Sequence, residues 1–209
     1  LANLRAAWRR FDSAEAPYAR VRVAAGPVAA GDGPVPGEVE AVADEEGHVD
    51  VVVELASPAP PGWAPVRIEL LDPRPDAASP RVFRGEALVP RPDAPYGVIS
   101  DMDDTVLVTG ATRLLEVATR TLLQSAHDRL PFPGVPTLYR AFAAAGAPTF
   151  YVSSSPWNLY RPLTEFLDLN GVPRGPLALR DWGIAGDGAS HGHAGHKNRE
   201  IEAILAAFA

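Results

Sequence analysis

The 209-residue sequence predicts a small all-β sandwich followed by an α/β unit built on a doubly wound parallel sheet. Three observations carry that prediction. Short β-branched runs separated by Gly/Pro/Asp turns fill the chain from Ala19 to about Pro90. Beyond Arg91-Pro92-Asp93-Ala94-Pro95, which reads as a linker, strand-like runs alternate with helical ones. The first of these later runs, Gly97 to Ser100, leads directly into Asp101, Asp103 and Asp104. The expected organisation is an N-terminal helix over 1–16, a β-sandwich over 17–92 and an α/β domain over 95–209.

Leu1, Leu4, Trp8 and Phe11 recur at helical spacing with Arg5, Arg9 and Arg10 opposite, so an amphipathic helix opens the chain, either docked on the core or lying on a membrane surface. The sandwich strands are expected at Val21–Val23, Val39–Val42, Val49–Leu55, Val66–Leu71 and Arg81–Val89. Turns separate them at Gly31–Pro34, Asp44–Gly47, Pro58–Gly62 and Pro73–Pro75. The Asp44–Gly47 stretch reads as a hairpin turn rather than a calcium loop. In the α/β part, Gly97–Asp101 is a strand and Thr112–Leu130 is mainly helical. Phe132-Pro133-Gly134 precedes a helix over Val135–Ala145, and Pro148–Ser153 is the next strand. Ser155-Pro156 is expected to cap a helix that Asn170-Gly171 stops near Leu169. A strand at Leu177–Arg180 and a helix over Asn198–Phe208 complete the alternation. Ligands of such a sheet bind at the carboxyl ends of its strands, where Asp101 and Ser153 both fall.

Composition narrows the chemistry. With 46% hydrophobic and 22% charged residues the chain is ordinary globular material, and no apolar run approaches the ~18 residues of a membrane span. Having no cysteine, it forms no disulfide, thiolate zinc site or cysteine nucleophile, and only imidazole and oxygen ligands remain for a metal. A net charge of -7 argues against a nucleic-acid partner and leaves no broad polybasic surface for anionic lipid, so any membrane contact is local. The chain starts at Leu1 without the charged and apolar regions of a signal peptide, and reads as a boundary rather than a native start. Targeting is not readable; the expectation is a cytoplasmic location with peripheral membrane contact.

Three carboxylates at the end of a buried strand lose several kcal/mol of hydration each unless a cation offsets them, and Mg²⁺ is the obvious partner. A calcium loop does not fit, because Val106 stands where its glycine belongs and Thr112 where its final glutamate belongs. An acidic turn or cap explains one or two aspartates but not the strand that feeds them. A catalytic reading gives Asp101 and Asp103 different work: one attacks phosphorus, the other protonates the leaving oxygen and later activates water. Anion attacking anion needs neutralisation, which Mg²⁺ and a lysine supply. Among 19 lysines and arginines Lys197 is the only lysine, so that position is a candidate for a compact point charge.

Asp101-Met102-Asp103-Asp104-Thr105 resembles the first motif of the haloacid dehalogenase superfamily. Phe150 to Asn158, with Ser153 at the strand's end, resembles the second, and His196-Lys197 the third. More narrowly, the succession ISDMDDTVLVTG, FPGVPTLYR, FYVSSSPWNLY, FLDLNGVPRGPLALRDWG and HKNREIEAIL, spanning Tyr96 to Phe208, is similar to the actin-patch-type phosphatidate phosphatases, relatives of the lipin catalytic domain. The resemblance implies a haloacid dehalogenase-like fold, Asp101 as nucleophile, Asp103 as acid/base and Lys197 as the catalytic cation. It also implies Thr105, Ser153 and Ser154 at the substrate phosphate, and Mg²⁺ held by Asp101 and the Asp103 carbonyl. The superfamily's fourth motif, an acidic pair on a further strand, has no counterpart before Ala209; Asp181 and Asp187 precede the lysine and fit poorly. The expectation is therefore a phosphatase domain lacking that strand, whose natural protein continues past Ala209.

Smaller features get plainer readings. His191, His193 and His196 lie among glycines and read as a flexible loop leading to Lys197 rather than a zinc site. Trp63, Trp157 and Trp182 read as core or pocket wall, and Ser153-Ser154-Ser155 shows no elbow for a serine nucleophile. The function expected is Mg²⁺-dependent hydrolysis of a phosphomonoester through an aspartyl-phosphate, with phosphatidate at a membrane surface as the leading substrate. The alternatives are a soluble phosphomonoester as substrate, or a catalytically silent lipid-binding or scaffolding module.

Overall fold

A computed structural model describes residues 16–26, 37–45, 47–55, 57–73, 79–102, 105–106, 131–180 and 193–208. The chain divides into two compact units, Ala14–Pro92 and one that takes in Asp93–Ala209. The helix expected over 1–16, but for Ala16, and the one over Thr112–Leu130 lie outside the described residues.

The first unit carries strands β1 (Arg20–Ala25), β2 (Val39–Val42), β3 (Gly62–Asp72) and β4 (Val82–Val89). They pair antiparallel in the order β2-β1-β3-β4. Alternation along β1 buries Val21 and Val23 on one face and turns Arg20 and Arg22 to the other. Register places Glu40 of β2 and Glu69 of β3 opposite Arg22, so the charged face pairs with itself across three strands.

Two sheets packed as a sandwich are not what the described residues form; they give one antiparallel sheet. The run Val49–Leu55 joins no strand. Val49, Val51 and Val53 are half-buried while Asp50, Val52 (83% exposed) and Glu54 face solvent, so the run keeps an alternating pattern without a partner strand and its β propensity goes unused. The turn before it does form: the Asp44 N–H bonds the His48 carbonyl, and the Asp44 carboxylate accepts from the His48 N–H at 2.8 Å.

The second unit runs β5 (Val98–Asp101), α1 (Val135–Ala144), β6 (Thr149–Pro156), a 3₁₀ turn (Trp157–Leu159), α2 (Tyr160–Leu169), β7 (Leu177–Arg180) and α3 (His193–Phe208). The three strands are parallel, in the order β5-β6-β7. Tyr151 of β6 stacks on Tyr139 of α1 with ring centroids 6.0 Å apart, and α2 adds Leu163, Phe166 and Leu167 to the same core. Each of those three is essentially fully buried, worth about 2 kcal/mol apiece. The adjacent Phe150 points the other way and meets Phe208 of α3 at 5.0 Å, so helices cover both faces of β6.

Two boundaries differ from expectation. Pro156 is extended (φ -71, ψ 156) and ends β6; the proline that opens α2 is Pro162, in the first turn, where no backbone N–H is needed. Likewise α3 starts at His193 rather than Asn198, so Lys197 lies one turn inside the helix rather than at its opening. Gly175 permits the β6–β7 pairing: a Cβ there would lie 2.0 Å from the Thr149 carbonyl oxygen.

Candidate active site

The site is built where β5 and β6 end. Asp101 is the last residue of β5 and pairs in register with Val152 of β6, so Ser153 lies one residue beyond it on the neighbouring strand. The chain after Asp101 is pinned by Met102 and Val106, both fully buried, whose backbones are joined by a 3.2 Å hydrogen bond. Asp103 and Asp104 lie outside the described residues, and Thr105 is exposed.

Lys197 reaches Asp101 from α3, 96 residues along the chain, with Nζ 2.6 Å from Oδ2. The two side chains are 28% and 39% exposed, so the pair opens to solvent. The other carboxylate oxygen, Oδ1, is buried and has no hydrogen-bond partner among the described residues. A buried carboxylate oxygen without a donor is costly, and it suits a hard divalent cation.

Ser153, Ser154 and Ser155 occupy an irregularity in the β6–β7 ladder. Val152 pairs with Ala178 and Pro156 with Arg180, so three serines on β6 stand against one residue of β7. Ser153 is fully buried and its Oγ accepts a hydrogen bond from the Ser155 N–H at 2.9 Å, which fixes the bulge and leaves the hydroxyl proton to be given elsewhere. The Ser154 hydroxyl oxygen is buried too.

Sequence reasoning missed the support beneath Asp101. Ser100 Oγ donates to the Asp101 carbonyl at 3.0 Å and is in short contact with the Tyr139 hydroxyl. Because Ser100 spends its proton on Asp101, Tyr139 must donate to Ser100. The next ring, Tyr151, gives its hydroxyl to the Pro173 carbonyl at 2.8 Å, and burial, with Tyr139 nearby, pushes its pKa well above the usual tyrosine range. The available signal was the tyrosine of FPGVPTLYR, on the helical face that also carries Val135 and Phe142.

Of the expected site residues, Asp101 and Lys197 are in contact and Ser153 and Ser154 lie at the adjoining strand end. Asp103, Asp181, Asp187, His191 and Trp182 fall outside the described residues. Trp63 is half-buried, while Trp157 is 39% exposed and not part of the core.

Residues 96–209 match the family model of the catalytic domain of phosphatidate phosphatase APP1. The chain belongs to this family. Phosphatidate phosphatase APP1 of Saccharomyces cerevisiae is 32% identical over 114 residues, which are 53% of this chain and 19% of that protein. The chain thus spans about a fifth of the length of that curated relative. A chain in the solved structure of the Pnkp1/Rnl/Hen1 complex aligns over 55% of this chain and 36% of its own, at 17% identity and a TM-score of 0.40, too slight a likeness to inform the fold. The APP1 match takes in β5, β6, β7 and α3, hence every site residue named above. Among the described residues no helix is long and apolar enough to cross a membrane.

Proposed function

We propose that the chain hydrolyses phosphatidate to diacylglycerol and inorganic phosphate, with Mg²⁺, on a haloacid dehalogenase-like doubly wound domain. The observation that supports it most is the Asp101 carboxylate, with Oδ2 on Lys197 and Oδ1 buried without a donor among the described residues, within a segment that matches the APP1 catalytic domain.

A carboxylate oxygen of Asp101 attacks phosphorus, and the bond from phosphorus to the glycerol oxygen breaks to leave an aspartyl-phosphate. Asp103 gives its proton to the departing oxygen, then takes one from water as that water attacks phosphorus and frees Asp101. Lys197 offsets the negative charge gathered around the phosphoryl oxygens, while Ser153, Ser154 and Thr105 orient them. Asp101 and the Asp103 carbonyl would hold Mg²⁺, which supplies the remaining neutralisation and polarises the phosphoryl group. Tyr139 and Ser100 keep the Asp101 backbone in place.

The test is phosphate release from phosphatidate in mixed micelles and from glycerol phosphate, each with Mg²⁺ and with a chelator. Release from phosphatidate that a chelator abolishes is the expected result. Faster release from the soluble ester moves the assignment to a small phosphomonoester, and no release from either supports a silent lipid-binding module.

A further inference from the structure

The 3₁₀ turn after β6 presents its side chains in two opposite directions. Leu159 is 2% exposed and belongs to the same core as Leu163 and Phe166, so the turn is bolted to the interior. Tyr160, the first residue of α2, lies three residues beyond Trp157, and its N–H bonds the Trp157 carbonyl, which brings the two side chains to the same side. Their rings stack with centroids 6.3 Å apart and planes inclined by 27°. They are 39% and 44% exposed, and Arg161 beside them is exposed as well. This trio directly follows the strand that carries Ser153, at the end of the sheet where Asp101 meets Lys197.

An indole and a phenol, each with an apolar body and a polar tip, are at their most favourable where hydrocarbon gives way to headgroups. A chain of net charge -7 is repelled by an anionic bilayer as a whole, so approach requires a local contact that combines ring burial with a cation. Trp157, Tyr160 and Arg161 supply both within five residues, on a support fixed by Leu159.

We propose that Trp157, Tyr160 and Arg161 form a docking contact for an anionic phospholipid surface, a role that rests on phosphatidate being the substrate only for its benefit to catalysis. The rings enter the headgroup region, Arg161 meets a lipid phosphate, and the strand end bearing Ser153 is brought to the bilayer.

The experiment uses the whole 209-residue chain in an Asp101→Asn background, so that lipid is not consumed. Partition onto phosphatidylcholine vesicles containing phosphatidylserine, and onto others containing phosphatidate, is measured by flotation. Tryptophan quenching by brominated lipid is read with Trp157→Phe as the control. Replacing both rings (Trp157→Ala with Tyr160→Ala) is expected to weaken partition about tenfold on both anionic surfaces, and Arg161→Gln about threefold. The milder pair Trp157→Phe and Tyr160→Phe is expected to keep most of the binding, which separates lost contact from lost folding. With Asp101 restored, the rate on vesicles relative to that on monomeric short-chain phosphatidate is expected to fall about tenfold in the double alanine variant, in step with partition. Partition indifferent to all these changes overturns the docking role while leaving phosphatidate as substrate intact. Equal loss of rate on vesicles and on the monomer also overturns it, since the rings would then line the pocket. A wild-type chain that self-associates through the two rings and ignores vesicles overturns it in favour of a second copy. If the rings govern vesicle binding but phosphate is released only from soluble esters, docking stands and the substrate assignment falls.

Discussion

In the antiparallel sheet, Arg22 on β1 lies 2.8 Å from Glu40, 3.4 Å from Glu69 and 3.5 Å from Glu38, and Arg67 lies 3.3 Å from the same Glu38. At the end of the parallel sheet, Asp101 has one oxygen 2.6 Å from Lys197 and the other buried with no donor among the described residues. Both sheets set carboxylates against cations. The first shares its charges in a lattice among β1, β2, β3 and Glu38 just ahead of β2, from the exposed Arg20–Glu40 pair to buried Arg67, and each of its carboxylates meets a guanidinium, which is how sheets use charge to fix register. The second leaves a buried oxygen unsatisfied, a cost that folding alone does not explain and that a cation or substrate would offset. Ion pairs alone do not mark a site; an incomplete one at a strand end does.

The sharpest way to break that contrast is to neutralise each side. Asp101→Asn is expected to lower phosphate release by about a thousandfold or more, because covalent catalysis has no second route, while the thermal midpoint stays near that of the parent. Arg22→Ala is expected to do the reverse, lowering the thermal midpoint and sparing the rate. If Asp101→Asn kept more than a tenth of the parent activity, the division between functional and architectural carboxylates would fail. A smaller effect follows at its partner: Lys197→Arg keeps the charge but spreads it over a plane, and a rate loss of about tenfold is expected in steady-state kinetics. An arginine variant as fast as the parent would show that Asp101 needs a charge there and not an ammonium.

Much of this was legible before any fold was known, and the reasons are local. Gly97–Asp101 announced itself because an apolar run ending in carboxylates has few structural explanations, and Lys197 because a chain this rich in arginine kept one lysine. The strands at Val39–Val42 and Leu177–Arg180 and the helix from Val135 followed from periodicity and from Phe132-Pro133-Gly134 ahead of the helix. Val49–Leu55 misled because β-branched composition reports propensity, not the partner strand that makes propensity count. Two prolines six residues apart, Pro156 and Pro162, offered the same helix-start signal, and only packing of Leu159 into the core decides between them. The pairing of Ser100 with Tyr139 was invisible because it joins residues 39 apart through two hydroxyls that no pattern distinguishes from solvated ones.

That hydroxyl pair supplies a third test, weaker than the first two. Tyr139→Phe removes the donor to buried Ser100 while keeping the ring that stacks on Tyr151 and packs at 5.8 Å from Phe142. A loss of about 1 kcal/mol in chemical unfolding is expected, as for one buried hydrogen bond. If Tyr139 positions Asp101 through Ser100, kcat falls a few-fold with KM unchanged. A change confined to stability would make the pair architectural, like the charges of the other sheet.

The smallest expected effect concerns Glu40, and its sign is fixed by its neighbours. The hydrogen bond from Arg22 chiefly holds the Glu40 carboxyl below its ordinary value of 4.5, against the opposing effect of desolvation and with a smaller contribution from the Arg20 hydrogen bond. A carboxyl whose folded value is depressed adds stability that is fully present above the unfolded value and disappears as pH falls through the folded one. Glu40→Gln should therefore lower the urea midpoint at neutral pH; the gap from the parent should begin to narrow as pH falls below the ordinary value of 4.5 and close once pH is below the depressed folded value, where both chains are uncharged at that position. The gap itself should be small and should shrink in high salt, because the carboxylate is solvent-facing and its attraction to Arg22 is screened. Phosphate release at neutral pH should be unaltered. A midpoint difference that persisted unchanged into acid would mean that Glu40 acts by shape or hydrogen bonding rather than by charge. The lattice on β1, β2 and β3 would then no longer be the electrostatic counterpart of the site at Asp101.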